Sequence, residues 1–64
     1  MKYIIHPQIG GASSLTCDIP ANNEEQLVEF LLKQKEVFIV TQDAPKFYPA
    51  VVFKSAIAYI ERKQ

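Results

Sequence analysis

Apolar and polar residues alternate strictly along residues 14–19, SLTCDI. Three apolar side chains fall on one side of an extended chain and three polar ones on the other: Leu15, Cys17 and Ile19 against Ser14, Thr16 and Asp18. Because side chains of a β-strand point alternately to its two faces, this pattern predicts a half-buried strand. The apolar run 2–6, which ends at Pro7, predicts an earlier strand. Gly10 and Gly11 lie between the two runs, so an antiparallel hairpin is expected.

Residues 23–35 carry apolar residues at helical spacing and predict the one helix. Asn22 or Asn23 is expected to cap the free N–H groups of its first turn. Asn23 and Gln26 are three residues apart, which resembles a capping box, although Ser or Thr is the usual first member. The helix therefore has a defined start, and lysines near its end suit the negative end of the helix dipole.

The apolar stripe of this helix is wider than one small sheet needs. Leu27, Phe30 and Leu31 form its centre, and Val28 and Leu32 widen it. Two interpretations follow from this width. Either the helix is thoroughly buried within its own domain, or Val28 and Leu32 contact a second subunit.

A second hairpin is predicted from residues 36–42 and 50–53. Residues 36–42 are apolar on both faces, with Val37 and Ile39 opposite Phe38 and Val40. Strands of that kind are usually central in a sheet or covered by a second layer. The segment between the two strands contains turn formers and is expected to be a longish loop.

This loop carries two adjacent aromatic residues, Phe47 and Tyr48, between two prolines and beside Lys46. Adjacent residues of an extended segment point to opposite sides, so one ring is expected in the core. Tyr48 is the better candidate for the outward ring, because its hydroxyl tolerates water. The flanking prolines stiffen the loop and lower the ordering cost of a contact. Lys46, Phe47 and Tyr48 are thus candidate interaction residues.

The tail, residues 55–64, is compatible with a strand or a short helix. Its β-branched and aromatic content favours a strand, and isolated short helices are marginal. The predicted order is β-β-α-β-β-β in a single compact domain, residues 1–64. We expect an α+β fold, with the helix packed on a small antiparallel sheet or on a partly open small barrel. An open sheet edge is expected too, since Lys2 and Lys54 are the obvious charged guards within the strands.

The length and the net charge of the chain disfavour several classes of function. A chain of 64 residues buries about 60% of the surface of its unfolded form, and its single cysteine excludes an intrachain disulfide. Oligomerisation, with a dimer favoured, is therefore the expected source of further burial. Seven basic residues balance seven acidic ones, which disfavours nucleic acid as a partner. The free thiol and the lack of an export signal or membrane span predict a cytoplasmic location.

The candidates for chemistry are few. Gly10-Gly11 lacks the lysine and the spacing of a phosphate-binding loop. His6 and Cys17 are the only residues of their types, and a hairpin could bring them together as a nucleophilic pair. Cys17 shares the apolar face of its strand, however, where cysteine usually acts as a small buried hydrophobe. We therefore expect no catalysis, no cofactor and no metal.

The favoured hypothesis is a non-catalytic protein-binding regulator or inhibitor that acts as a homo-oligomer and binds a protein partner. Two alternatives remain open: a module that binds single-stranded nucleic acid, and an oligomer that sequesters a small molecule between subunits. The nucleic-acid alternative would use exposed aromatic rings and lysines, and its candidates are Tyr3, Phe47, Tyr48, Tyr59, Lys46 and Lys54.

Overall fold

The computed structural model describes residues 1–43 and 48–64. This part of the chain forms one α-helix and a five-stranded antiparallel sheet. The elements are β1 (Lys2–Pro7), β2 (Leu15–Asp18), α1 (Glu24–Lys33), β3 (Val37–Gln42), β4 (Pro49–Phe53), a 3₁₀ turn (Lys54–Ala56) and β5 (Ile57–Arg62). Across the sheet the order is β4-β3-β2-β1-β5, and the sheet is not closed into a barrel. The predicted α+β class and the order β-β-α-β-β-β are confirmed.

The first hairpin pairs β1 with β2 in the register that the alternating pattern requires. Tyr3 lies opposite Cys17 and Ile5 lies opposite Leu15, so their side chains share one face. Gly11 in the connection has a φ of 85°, a left-handed backbone conformation that residues other than glycine rarely adopt. The predicted role of the glycines as turn residues is therefore confirmed.

The tail is a strand, as its composition favoured. β5 pairs antiparallel with β1, and Ile60 lies opposite Ile5 on the helix-facing side of the sheet. The register shifts at Pro7, which has no N–H to donate to the ladder. The corner before β5 is held by Glu36, whose carboxylate accepts the Ser55 hydroxyl and N–H. These two hydrogen bonds lower the pKa of Glu36 below its ordinary value.

The core lies between α1 and one face of the sheet. Its buried side chains come from β1 to β4, from α1 and from the connection before α1: Tyr3, Ile5, Cys17, Ile19, Ala21, Leu27, Phe38, Val40 and Val52. The Phe30 ring of the helix meets Phe38 of β3 edge-on, with 6.1 Å between ring centres. The buried Tyr3 hydroxyl donates to the Ala21 carbonyl oxygen at 2.9 Å. That bond satisfies a polar group that would otherwise be costly to bury.

The interpretation of α1 as a thoroughly buried helix is wrong. Within α1 only Leu27 is fully buried, while Val28 and Leu32 are 54% and 77% exposed. Only one face of the helix packs on the sheet, so the widened part of the stripe turns to solvent. Contact of these two residues with a second subunit stays a prediction.

The expectation for residues 36–42 is confirmed in one of its two forms, since β3 lies inside the sheet between β2 and β4. It buries Phe38 and Val40, but Val37 and Ile39 on its other face are exposed, so no second layer from the described residues covers it. Lys2 does not guard an edge, because β1 lies between β2 and β5. The order in which the strands pair cannot be read from the sequence. The edge strands of the sheet are β4 and β5.

The start of α1 follows the capping prediction and resolves which asparagine acts. The Asn23 side chain accepts the backbone N–H of Gln26 at 2.9 Å, and the Gln26 side chain accepts the backbone N–H of Asn22 at 2.8 Å. Asn23 is therefore the N-cap, and Asn22 contributes only main chain to the motif.

Replacing Asn23 with Ala is expected to lower the free energy of unfolding by about 1 kcal/mol, because it leaves a first-turn N–H without its acceptor. Asn22→Ala, one position earlier, is the matched control and should change stability little. Urea denaturation of both variants measures the difference. Equal effects of the two substitutions would contradict the assignment of the cap.

Candidate functional site

The sheet face turned away from α1 is apolar over β3 and β4. Two cross-strand pairs, Val37 with Phe53 and Ile39 with Val51, stand side by side there. Their exposed fractions are 45%, 52%, 65% and 60% in that order. We call these four residues the β3–β4 patch. A contiguous exposed patch of large apolar side chains on a soluble domain commonly marks a contact surface.

The remainder of this face, over β1, β2 and β5, is polar and carries both charge signs. Lys2 donates to Asp43 at 2.9 Å, and the proximity of that carboxylate raises the pKa of Lys2. Asp18 pairs with the terminal ammonium of Met1 at 3.1 Å. The outer face is thus divided into an apolar half and a charged half, and the boundary runs between β2 and β3.

Within the charged half, His6 connects β1 with β5 and with the residue that precedes β2. Its Nδ1 lies 3.2 Å from the Ser14 hydroxyl, and its Nε2 lies 2.9 Å from the Glu61 carboxylate. The Tyr59 ring stacks on the imidazole with 4.2 Å between centres. Ser14 lies near His6 through the first hairpin, but Tyr59 and Glu61 reach it only through the pairing of β1 with β5, which no sequence spacing indicates.

A serine, a histidine and a carboxylate in line resemble a hydrolytic arrangement, but the surroundings do not favour catalysis. Such sites depend on donors aimed at a developing oxyanion in a place from which water is excluded. Here Ser14, Tyr59 and Glu61 are all exposed to solvent. We interpret the group as a surface hydrogen-bond network that fastens the strands together.

The sequence also raised a Cys17–His6 pair, and the fold keeps these residues apart. Cys17 lies opposite Tyr3 on the helix-facing side, whereas His6 belongs to the outer face. Cys17 is fully buried, and that burial raises the pKa of its thiol from 9.0 to about 11. At neutral pH the group is a protonated thiol within the core and not a nucleophilic thiolate.

The reaction of Cys17 with iodoacetamide should therefore follow an apparent pKa near 11 in the folded chain and near 9.0 in urea. Because the folded pKa is raised, the stability that the neutral thiol provides is present below pH 9 and is lost as the pH rises toward 11. Alkylation rates across this range, read by mass spectrometry, give both values. Identical profiles with and without urea would contradict the burial of the thiol.

Metal and membrane sites are not indicated by the described residues. Within 1–43 and 48–64, no three His, Cys, Asp or Glu side chains lie close enough to hold a metal ion. The described helix, α1, has ten residues and is not long or apolar enough to cross a bilayer.

A groove of about 470 Å³ runs between α1 and the edge strand β5. We call it the α1–β5 groove. Its lining is apolar apart from one lysine: Leu27, Val28, Leu31, Leu32, Lys54, Ile57, Ala58, Tyr59 and Ile60. Arg62 of β5 pairs with Glu24 at the start of α1 at 2.9 Å, which ties strand and helix together near one end of the groove.

The predicted interaction residues divide among these surfaces. Val28 and Leu32 line the α1–β5 groove, and Tyr48 is half exposed just before β4. Lys46 and Phe47 lie outside the described residues. The β3–β4 patch was missed, although the apolar residues on both faces of residues 36–42 were its signal.

One aromatic candidate of the nucleic-acid hypothesis is removed by its position. The Tyr3 ring is fully buried and its hydroxyl is bonded to Ala21, so it cannot stack on a base. Tyr59 is exposed, but one face of its ring is taken by His6. These positions leave a smaller aromatic surface for bases than the sequence suggested.

Comparison with known proteins adds no assignment. No protein-family model, no curated protein and no solved structure matches this chain. The β3–β4 patch and the α1–β5 groove are the two surfaces of the described residues that are suited to binding.

Proposed function

We propose that this chain is a non-catalytic protein-binding regulator or inhibitor that acts as a homodimer. The observation that supports the proposal is the β3–β4 patch, four large apolar side chains that are each about half exposed. Burying a Val, Ile or Phe side chain completely contributes about 1.5–3 kcal/mol. A surface of this kind provides free energy for association that its own fold leaves unused.

A second copy of the chain is the occupant that the charge distribution favours. The patch carries no charge, while the neighbouring half of the face holds ion pairs such as Lys2–Asp43. If two copies pack face to face about a two-fold axis over β3 and β4, apolar meets apolar. The charged halves then extend to opposite sides of the dimer and stay in water. This contact is isologous, the commonest kind in soluble homodimers.

The size of the patch predicts a weak, concentration-dependent dimer. A standard interface buries about 800 Å² on each partner, between a sixth and a fifth of the 4487 Å² that this chain exposes. Four half-exposed side chains alone supply less than that area. The rim, where Thr41 and Pro49 lie as neighbours on the same face, has to contribute as well.

Pairing of the β4 edges of two copies is the competing route to a dimer, and it would bury less apolar surface. The N–H of Gln42 donates to the Tyr48 carbonyl oxygen, and the N–H of Lys54 donates to the Glu36 carbonyl oxygen. Because main-chain groups alternate in direction along an antiparallel strand, the N–H and C=O groups of Val51 and Phe53 point away from the sheet. Pro49, at the next outward position, has no N–H to donate. Edge pairing would also leave the β3–β4 patch in solvent, which is why we place the contact on the face.

The positions of Cys17 and Ser14 support a function without catalysis. Cys17 is enclosed in the core, and Ser14 belongs to an exposed hydrogen-bond network. A dimer that binds protein needs neither of them for chemistry.

Ile39→Lys is expected to abolish self-association, because it places a charge in the centre of the dimer contact. Ile39 is 65% exposed, so the monomer should fold as before. Analytical ultracentrifugation from about 1 to 500 μM, the affinity range of weak interfaces, measures the equilibrium. Ser13→Lys, which adds the same charge on an exposed loop residue, is the control and should dimerise like the unmodified chain.

Circular dichroism of both variants checks that the fold is retained. A wild-type chain that sediments as a monomer over the whole range would overturn the proposed dimer. A dimer that persists in Ile39→Lys but is lost in Leu32→Glu would move the contact to the α1–β5 groove.

A further inference from the structure

We propose that the α1–β5 groove binds an extended apolar segment of a partner protein, which pairs with β5 as a sixth strand and places an acidic side chain beside Lys54. The inference deepens the proposed function, because it specifies the kind of segment that the regulator recognises. It rests on protein binding and does not require that the chain dimerises.

The main chain of β5 is available for such pairing. Lys63 donates to the Lys2 carbonyl oxygen at 3.0 Å, and alternation along an antiparallel ladder then turns Tyr59 and Glu61 toward β1. Ile60 and Arg62 therefore direct their N–H and C=O groups away from the sheet. An added strand can form hydrogen bonds to both residues, which is how sheet edges commonly bind extended peptides.

The groove provides pockets for alternate side chains of the added strand. Ile60 faces α1, so a residue paired with it directs its side chain toward the same side. There it meets Val28 and Leu32, which the fold leaves exposed on the helix. Residues two positions away in the added strand point the same way. The recognised segment is thus apolar at alternate positions, and the positions between them face water.

The position of Lys54 determines at which end of the bound segment the acidic side chain is expected. Among the described residues that line the groove, Lys54 is the one that carries a charge. The Glu36 carboxylate accepts both of its hydrogen bonds from Ser55, and the charge of Lys54 acts on it without a direct ion pair. The Lys54 ammonium can therefore still pair directly with a carboxylate of the bound segment. At the other side of the groove Arg62 is engaged by Glu24 and does not offer a second cationic site.

The carboxylate belongs to an Asp or Glu side chain and not to a C-terminus. C-terminal carboxylates are captured by clusters of backbone N–H groups. In the turn that carries Lys54 these donors are occupied: the N–H of Lys54 goes to the Glu36 carbonyl and that of Ser55 to the Glu36 carboxylate. The side-chain ammonium of Lys54 remains as the recognition group.

The groove and the β3–β4 patch lie on opposite faces and at opposite edges of the sheet. Both surfaces can therefore be occupied at once. A dimer would present two grooves, and a partner with two suitable segments would gain affinity through the higher effective concentration of the second one.

Selection from a display library of random peptides of about eight residues, enough for a strand of typical length, tests the inference. The peptides should be flanked on both sides by constant sequence, so that a free C-terminus is not selected. The expected winners carry Val, Ile, Leu or Phe at alternate positions and Asp or Glu near one end. Fluorescence anisotropy with the synthetic, end-blocked winner then gives an affinity.

Variants of the chain locate the site. Leu32→Glu should weaken binding of the selected peptide by at least about tenfold, as expected when a residue that contributes strongly to the binding free energy is replaced. Ile9→Glu makes a comparable change at an exposed residue outside both surfaces and should leave binding unchanged. Lys54→Met should weaken the acidic peptide severalfold but not its Glu→Gln analogue. Amide shifts in NMR spectra should concentrate on Ile60, Arg62 and α1.

The inference is overturned if no peptide is enriched, if Leu32→Glu binds the winner as tightly as wild type, or if Ile9→Glu weakens binding as much as Leu32→Glu does. Binding of winners without an acidic residue, unaffected by Lys54→Met, would overturn the role of Lys54. Peptide binding by the monomeric Ile39→Lys variant would support the groove even if the dimer failed. The two proposals are therefore separable.

Discussion

One short helix has to cover a sheet that is wider than itself. Ten residues give α1 a length of about 15 Å and a width of about 10 Å, whereas five strands about 4.8 Å apart span roughly 19 Å. The helix therefore encloses one core on one face. The whole opposite face and the margin at β5 stay in contact with solvent. The α1–β5 groove follows from this mismatch, and the β3–β4 patch follows from the lack of a second layer among the described residues.

The pairing of β1 on both sides makes the incomplete cover tolerable. It pairs with β2 on one side and with the edge strand β5 on the other, so strands from the two ends of the described sequence lie next to each other in the sheet. Tyr3 fills the core beneath it, and its hydroxyl bonds the chain just before α1 at Ala21. On the outer face His6 links β1 to both neighbours through Ser14 and Glu61. Polar contacts stabilise this half of the outer face, and the β3–β4 half has apolar side chains in their place.

Local patterns predicted the elements well because each has a local physical cause. The period of two around Cys17, the capping residues at the start of α1 and the β-branched tail all act within a few residues of chain. The pKa of Cys17 was likewise implied by its position on an apolar strand face. Patterns with two solutions were less informative: an apolar stripe such as that of α1 shows which side chains need cover and does not show whether cover exists.

The sequence by itself determined the class of fold and the strand and helix segments, and it contains no recognisable catalytic motif. These follow from periodicity, capping and composition, which are properties of neighbouring residues. Only the tertiary structure decided that β4 and β5 form the sheet edges, that Val37 and Ile39 face solvent, and that Val28 and Leu32 border a groove. Those facts depend on which strands pair across long separations and on how far one helix reaches, and no local pattern encodes either quantity.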